Sequence, residues 1–485
     1  MMKKLLLILL CYPLIVFGQV NYTITVNTND TWHGNLFFQR GGTPQKPVKI
    51  VDSTGIEIFS ENWGMKGWDF KVNYNNKLSY FDRQSKGWFI MDSLQNEVDS
   101  VYMQNGYIAD NHDFLALANG NYVLIAYDEQ SYAMDTVVAG GDPNAIVEGL
   151  IIQELDPNHN VVFEWKSWDH FHVTDNTYMS PWTGASLNFI HANAIDIDFD
   201  GHFIFSSRNL DEITKIHRTT GEIIWRWGGS KNEFNFINDY PFTHQHSIRS
   251  LGDNKYLLYD NGNFSAQYTG TANISRAVEY QLDTALMTAT KVWEFVHPDS
   301  LYTPSIGGVQ RLPNGNTIID FGNLQMQNSG SVVTEVDSNN NIVFQLEYDN
   351  GGNLYRAQKF DWFFYTPTFL TWDCVGGSCV DPGTGMGLYS DSLQCVLNCS
   401  LPTLDSWNCI AGSCVNPGTG MGMYTDSLQC VANCSSTYIS NVKNTPESSL
   451  LKITDLLGNE VLYRKNRMLI YIYEDGKVEK KIKID

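Results

Sequence analysis

Ile195-Asp196-Ile197-Asp198-Phe199-Asp200-Gly201, followed by Ile213-Thr214-Lys215-Ile216-His217, Gly221 and Ile224-Trp225, reads as two hairpins in succession. Apolar and polar residues alternate as in a half-buried strand, and Asp-Gly between such runs is a strong hairpin signal. The second hairpin recurs. Val48-Lys49-Ile50-Val51-Asp52 leads to Ile58-Phe59, and Phe89-Ile90-Met91-Asp92 leads to Val98. Ile152-Gln153-Glu154-Leu155-Asp156 leads to Val162-Phe163, Tyr280-Gln281-Leu282-Asp283 to Val292-Trp293, and Val333-Thr334-Glu335-Val336-Asp337 to Val343-Phe344. The first hairpin has counterparts at Phe114-Leu115-Ala116-Leu117, turning at Asn119-Gly120, and at Val309-Gln310-Arg311-Leu312, turning at Asn314-Gly315. Two hairpins per repeat and six repeats predict an all-β chain folded as a six-bladed β-propeller. A β-helix would need shorter and more regular repeats, and no stretch of the body has helical periodicity.

A propeller takes ligands at its central channel, on the face where the innermost strands begin. Those openings read Asn111-His112-Asp113, His191-Ala192-Asn193, Gln245-His246-Ser247 and Gly307-Gly308-Val309. Three begin with histidine, and fold symmetry would make the three converge. Arg208 follows the second strand of the His191 blade and returns to the same face. Three imidazoles alone would make a zinc set. A fixed cation beside them disfavours a metal and favours an anion, because arginine stays charged and presents a planar fork to sulfate, phosphate or carboxylate oxygens. Histidine adds a donor, an acid or base, or a nucleophile.

The order His191-Ala192-Asn193, Ser207-Arg208-Asn209, Gly221-Glu222-Ile223-Ile224-Trp225-Arg226-Trp227-Gly228-Gly229, Gln245-His246, Asp260-Asn261-Gly262 and Ser275-Arg276 resembles the bacterial arylsulfotransferases. These aryl-sulfate sulfotransferases use no nucleotide sulfate donor. The resemblance runs from about Asn111 to Phe344 and implies a six-bladed propeller. It also implies ping-pong transfer of a sulfuryl group from an aryl sulfate ester to a phenolic acceptor through a sulfohistidine. His246 would be the nucleophile, and His191 and Arg208 would hold the sulfuryl oxygens. Asn193 would be a further donor beside His191, and His112 the proton donor and base. His170, in Trp168-Asp169-His170, is a further substrate-binding candidate. No metal and no cofactor is implied. Enteric members carry an N-terminal sandwich domain and a disulfide near the site, whereas the body of this chain has no cysteine. Two alternatives remain open: a non-catalytic secreted propeller that binds sulfated or phenolic glycans, and an aryl sulfatase with water as acceptor.

Around this body, Met1 to Gly18 has a basic start, an apolar run and small residues before a cleavage point, as in a secretory signal peptide. Eight of the nine cysteines lie between Cys374 and Cys434 in two copies offset by 35 positions, Cys374 matching Cys409. In an exported chain this spacing means two disulfides per copy, with three pairings open in each. Pro382-Gly383-Thr384-Gly385-Met386-Gly387 recurs as Pro417-Gly418-Thr419-Gly420-Met421-Gly422. The tail resembles the C-terminal sorting domain of type IX secretion substrates in Bacteroidetes. That implies secretion or surface attachment after passage through the periplasm, with the type IX machinery as a partner. The expected organisation is a leader at 1–18, the propeller at 19–365, Cys-rich repeats at 371–400 and 406–435, and a sorting domain at 442–485.

Charge narrows the function class. The 32 Lys+Arg stand against 53 Asp+Glu, a net charge of −21, which argues against a nucleic-acid partner. At 13% aromatic residues the chain is not disordered, and no stretch is long and apolar enough for a transmembrane segment. Asp196-Ile197-Asp198-Phe199-Asp200-Gly201 imitates the start of a calcium loop, but Ser207 stands where such a loop needs Glu.

Overall fold

The computed structural model describes residues 22–41, 47–176, 182–324, 327, 330–348 and 353–364. Further on it describes 372–375, 378–380, 389, 392–399, 407–410, 413–416, 423–424, 426–434, 450–454, 468–473 and 478–482. The leader (1–18), the Pro-Gly-Thr-Gly-Met-Gly turns and most of the tail (442–485) lie outside these. The chain divides into two compact units, Met1–Phe369 and Leu370–Asp485.

Six sheets, each built on four antiparallel strands, make the first unit a six-bladed β-propeller; Ser186–Asn188 and Asn235–Ile237 add parallel strands to two of them. The innermost strand of each blade is Leu354–Phe360, Lys66–Val72, Ala109–Ala116, Ala192–Ile197, His246–Gly252 and Gly308–Arg311, for blades 1 to 6. The ring closes at two places. Tyr22–Asn27 adds an outer strand to blade 6 against Ile342–Tyr348. Leu354–Phe360 returns to become the inner strand of blade 1 against Asn35–Arg40. Both ends of the body are therefore tied into sheets.

The six hairpins found in the sequence are the third and fourth strands of the six blades, counted from the channel. Their turns share one device. Asp52, Asp92, Asp156, Asp283 and Asp337 each accept two backbone N–H groups of the following turn through Oδ1, at 2.8–3.0 Å. Such side-chain bonds replace the ladder bonds the turn cannot make. In blade 4 His217 does this instead, its Nδ1 accepting from Thr219 and Thr220. The inner hairpins turn on Gly120, Gly201 and Gly315 at φ of +90°, +86° and +91°, which a side chain would strain. Carboxylates of the calcium-like stretch hold an internal cation instead: Lys215 bridges Asp198 and Asp200 at 2.6 and 2.7 Å.

Apolar faces pack blade against blade. Trp88 stacks on Phe114 at 4.9 Å, Trp227 meets Phe242 at 4.9 Å and Tyr280 at 5.0 Å, and Tyr259 meets Phe321 at 5.8 Å. The channel is plugged by charge. Asp113 lies between Arg356 (2.9 Å), Arg249 (3.1 Å) and Lys71, and Asp69 lies between Lys71 (2.6 Å) and Arg356 (3.1 Å). Although burial pushes the Asp113 carboxyl up, Arg356, Lys71 and Arg249 hold it well below the usual range. Four inner strands meet in this plug, which gives the residues above it a rigid floor.

In the second unit each cysteine pattern forms one small module. Asp373–Val375 pairs with Ser378–Val380 beside helix Ser392–Cys399, and Asn408–Ile410 pairs with Ser413–Val415 beside helix Ser427–Asn433. The disulfides are nested: Cys374–Cys399 outside Cys379–Cys395, and Cys409–Cys434 outside Cys414–Cys430. This selects one of the three pairings that spacing left open. Leu450–Thr454, Met468–Tyr473 and Val478–Ile482 form a three-stranded antiparallel sheet. Among the described residues, no helix is long and apolar enough to cross a membrane.

Candidate active site

The channel face where inner strands begin gathers His112, His191, Arg208 and His246. His246 opens the inner strand of blade 5, and His191 directly precedes that of blade 4. His112 lies near the start of the inner strand of blade 3, and its ring packs edge-on to His191 with centroids 4.8 Å apart. Arg208 follows the second strand of blade 4, and its N–H bonds the His191 carbonyl at 3.0 Å. Left-handed backbone marks this face: His191, Asp211, His244 and Ser247 have φ of 44°, 51°, 57° and 57°. Non-glycine residues in this conformation cost about 1 kcal/mol each and cluster at functional sites. Local bonds hold them there. Asn188 Oδ1 accepts the His191 N–H at 2.7 Å, and Asp211 Oδ1 accepts the His244 N–H at 2.6 Å.

His246 is buried, and its tautomer is fixed by its surroundings. Asn261 Oδ1 faces His246 Nδ1 at 2.6 Å, and the His244 carbonyl faces the same nitrogen at 3.1 Å. The Asn261 amide cannot turn round without loss, because its Nδ2 donates to the carbonyls of Thr303 (2.8 Å) and Ile306 (2.9 Å). Two acceptors at Nδ1 place the hydrogen there. Nε2 is left with its lone pair and has no hydrogen-bond partner among the described residues. Burial, then the charge of Arg208, holds this imidazole well below the usual histidine range. It is therefore neutral near pH 7.

Arg208 is half-buried, and burial lowers its pKa while Asp211 opposes the shift. Its Nη1 donates to Asn209 Oδ1 at 2.9 Å and its Nη2 to the Pro304 carbonyl at 3.1 Å, and no carboxylate among the described residues pairs with it. A desolvated guanidinium with donors to spare is suited to bind an anion. Burial, then His112 and Arg208, also pushes His191 well below its ordinary range, so it faces the site as a neutral donor or acceptor. His112 differs. Its Nδ1 contacts Asp110 Oδ1 in a short bond. Burial pushes Asp110 up, but His112 and then His191 hold it below the usual carboxylate range. The carboxylate at Nδ1 orients the ring, so that its Nε2 can exchange a proton with a bound substrate.

Two candidates are placed differently from expectation. Asn193 is buried, and its amide donates to the Gln245 carbonyl at 2.7 Å, tying the His191 strand to the residue before His246. Its main-chain carbonyl accepts from Arg356 Nη2 at 2.7 Å. It braces the site rather than standing open beside His191. His170 follows the outermost strand of blade 3, where its ring stacks on Trp165 at 5.0 Å and Asp169 is its charged neighbour. No contact brings it to the other candidates among the described residues.

Other residues of the site carried no role in the sequence reading. Asn261 belongs to Asp260-Asn261-Gly262, and Asp110 lies two positions before His112, a spacing that places both at one strand end. Tyr355 comes from the far end of the body: its hydroxyl donates to the His112 carbonyl at 2.7 Å, and its ring packs 5.8 Å from the His112 ring. His244 pairs with Asp211 at 2.9 Å and contributes to the field at His191. Arg276 is structural, buried among Asp239, Asp260 and Glu294 at 2.8–2.9 Å.

Residues 23–356 match the family model for arylsulfotransferase (ASST). The chain belongs to this family. Membership supports aryl sulfotransferase activity in general, with aryl sulfates and phenols as substrates. No curated protein matches the chain. Among solved structures, a protein of unknown function from Bacteroides caccae is 12% identical over 68% of this chain and 100% of its own, with a TM-score of 0.42. The periplasmic gluconolactonase PpgL of Pseudomonas aeruginosa is 10% identical over 67% and 98%, with a TM-score of 0.37. A catalytically inactive virginiamycin B lyase from Staphylococcus aureus is 11% identical over 68% and 88%, with a TM-score of 0.34. At these values the likenesses say nothing about activity.

Proposed function

We propose that the chain transfers a sulfuryl group from an aryl sulfate ester to a phenol, without a nucleotide donor, through a sulfohistidine at His246 Nε2. The observation that carries this is the Asn261 amide, locked by two carbonyls and accepting the His246 Nδ1 hydrogen. Among the described residues it presents a neutral imidazole with Nε2 free, beside a guanidinium that no carboxylate pairs.

In the first half-reaction the Nε2 lone pair attacks sulfur and the sulfur–oxygen bond to the aryl group breaks. The phenolate leaves and takes a proton from His112. The imidazole keeps its Nδ1 hydrogen, and the new cation on the ring balances the bound sulfonate. Arg208 and His191 would hold the non-reacting oxygens as charge shifts between donor and nucleophile. In the second half-reaction His112 takes the proton of an acceptor phenol, the phenolate oxygen attacks sulfur, and the nitrogen–sulfur bond breaks. His246 and His112 return to their starting states. Asp110 supports His112 in both directions because it holds the ring by Nδ1 and leaves Nε2 toward the substrate.

The same reading extends to location. Four disulfides form in oxidising compartments, which supports export. The C-terminal sheet would be the address read by the type IX machinery.

The test is turnover of a chromogenic aryl sulfate with and without added phenol. Phenol-dependent release with a sulfated acceptor as product is expected. Equal release without phenol would make the protein a sulfatase. Binding without release from several aryl donors would leave only a binding propeller.

A further inference from the structure

Six arginines pair with carboxylates: Arg218 with Glu154, Arg226 with Glu212, Arg249 with Asp113, Arg276 with Asp260, Arg311 with Glu279 and Arg356 with Asp113. In a chain of net charge −21 that is the expected fate of a guanidinium. Among the described arginine side chains two have no such partner. One is Arg208. The other is Arg83, in the turn after the second strand of blade 2, Leu78–Asp82.

Arg83 does not sit at random. Its guanidinium lies over the Trp68 ring, 3.6 Å from the centroid. Trp68 stacks on Tyr355 at 4.8 Å and 24°, and Tyr355 packs 5.8 Å from the His112 ring. Trp68 and Tyr355 both lie within three residues of the start of an inner strand, Lys66–Val72 and Leu354–Phe360. The row Arg83–Trp68–Tyr355–His112 therefore runs outward along the face that holds the candidate catalytic residues. Asp82, the nearest carboxylate in sequence, is occupied by its own turn: Gln84 N–H and the Ser85 hydroxyl donate to it at 2.9 and 2.7 Å.

Stacking defines what Arg83 can still do. An aromatic face takes one face of the guanidinium plane, whereas the five N–H donors point out of its edge. None of those donors has a hydrogen-bond partner among the described residues. Trp68 restricts the guanidinium, so less side-chain freedom is lost when an anion arrives. The group is half-buried, where water screens it less than on an open surface.

We infer that Arg83 is a second anion subsite of the channel mouth, and that the natural substrate is a sulfated phenol carrying a second fixed negative charge, a carboxylate or another sulfate. The inference rests on the sulfuryl-transfer reading and specifies its substrate class. Arg208 takes the sulfuryl group to be moved. Trp68, held between Arg83 and the buried Tyr355, fixes where the remote anion is met. Arg83 takes the remote anion at its edge.

The experiment compares biphenyl-4-yl sulfate with 4'-carboxybiphenyl-4-yl sulfate, which is long enough to reach along the row and has a similar leaving group, as donors for wild type, Arg83→Gln and Arg83→Lys. A hydrogen bond to a charged group is worth enough to change affinity about tenfold or more. The wild type should prefer the carboxylated donor in kcat/KM, and Arg83→Gln should reduce that preference about tenfold. Arg83→Lys should restore part of it, since the charge returns without the fork. The preference should also shrink with added salt. An equal preference in wild type and Arg83→Gln would overturn the inference. A second arm needs no turnover: calorimetric binding of 4'-carboxybiphenyl-4-sulfonate against biphenyl-4-sulfonate. If neither donor reacts, the sulfotransferase reading fails while the dianion-to-monoanion affinity ratio still decides the subsite. A ratio unaffected by Arg83→Gln in that arm would also overturn it.

Discussion

At the scale of the residue, one proton position determines what His246 can do. The Asn261 carbonyl oxygen takes the Nδ1 hydrogen, and burial with the Arg208 charge keeps the ring neutral. A depressed pKa means that the nucleophile stays unprotonated as pH falls through 6.5, its ordinary value, and is lost only further into acid. The acid limb of kcat/KM for the aryl donor should accordingly lie well below that of free histidine. Asn261→Asp would put a carboxylate at Nδ1 and favour imidazolium, so the limb should move up by about one pH unit or more. A pH profile of the variant checks this, and an unmoved limb would mean that Asn261 does not govern the ring. His112, His191, Arg208 and His246 were legible in the sequence because blade symmetry repeats positions. Asn261 was not assigned, since its 2.6 Å bond to His246 depends on how two strand ends approach in space, whereas Asp110 is two positions from His112 on one strand and its spacing is local. The His170 ring stacks on Trp165, away from the other four among the described contacts. Nothing near it in the chain announces that Trp165 will take its ring.

At the scale of the element, the ring depends on how its last blade closes. Glu335 on the third strand of blade 6, Val332–Val336, faces Lys359 on the inner strand of blade 1 at 2.6 Å. Both side chains are fully buried. The same carboxylate accepts from the Trp32 N–H at 2.8 Å and from Asn316 at 2.7 Å, and Lys359 also reaches the Trp32 carbonyl at 3.3 Å. Burial pushes the Lys359 ammonium down while Glu335 holds it up. Removing one partner of such a pair strands the other, at a cost of about 3–5 kcal/mol. Glu335→Ala should lose that much in denaturant unfolding, and Glu335→Ala with Lys359→Met should recover part of it. A loss below about 1 kcal/mol would show that closure rests on the strand pairings alone. The outer hairpins could be read because their turns are local: an aspartate accepts N–H groups two to four positions later. His217 filling that place in blade 4 shows that the turn needs an acceptor, not a charge. Closure could not be read, because Tyr22–Asn27 pairs with a strand some 300 residues away, and no local periodicity encodes such a register.

At the scale of the whole molecule, an excess of negative charge surrounds a site built for anions. The total of −21 describes the surface, while Arg208 and Arg83 stand as local exceptions on one face. Cysteines follow a similar division. None occurs between Gln19 and Asp373, and eight pair within the second unit. Their repeat was visible as an identical offset, but nesting of the bonds was not, because three pairings share one spacing. The central claim is that the sulfuryl group rests on His246 between donor and acceptor. It is tested by mixing the protein with an aryl sulfate in the absence of phenol, quenching in alkali, and mapping the modified peptide by mass spectrometry. One added SO3 on His246 is expected, lost when phenol is added before the quench and absent in His246→Ala. Release of the donor phenol with no label on the protein, or with the label on another residue, would contradict the account.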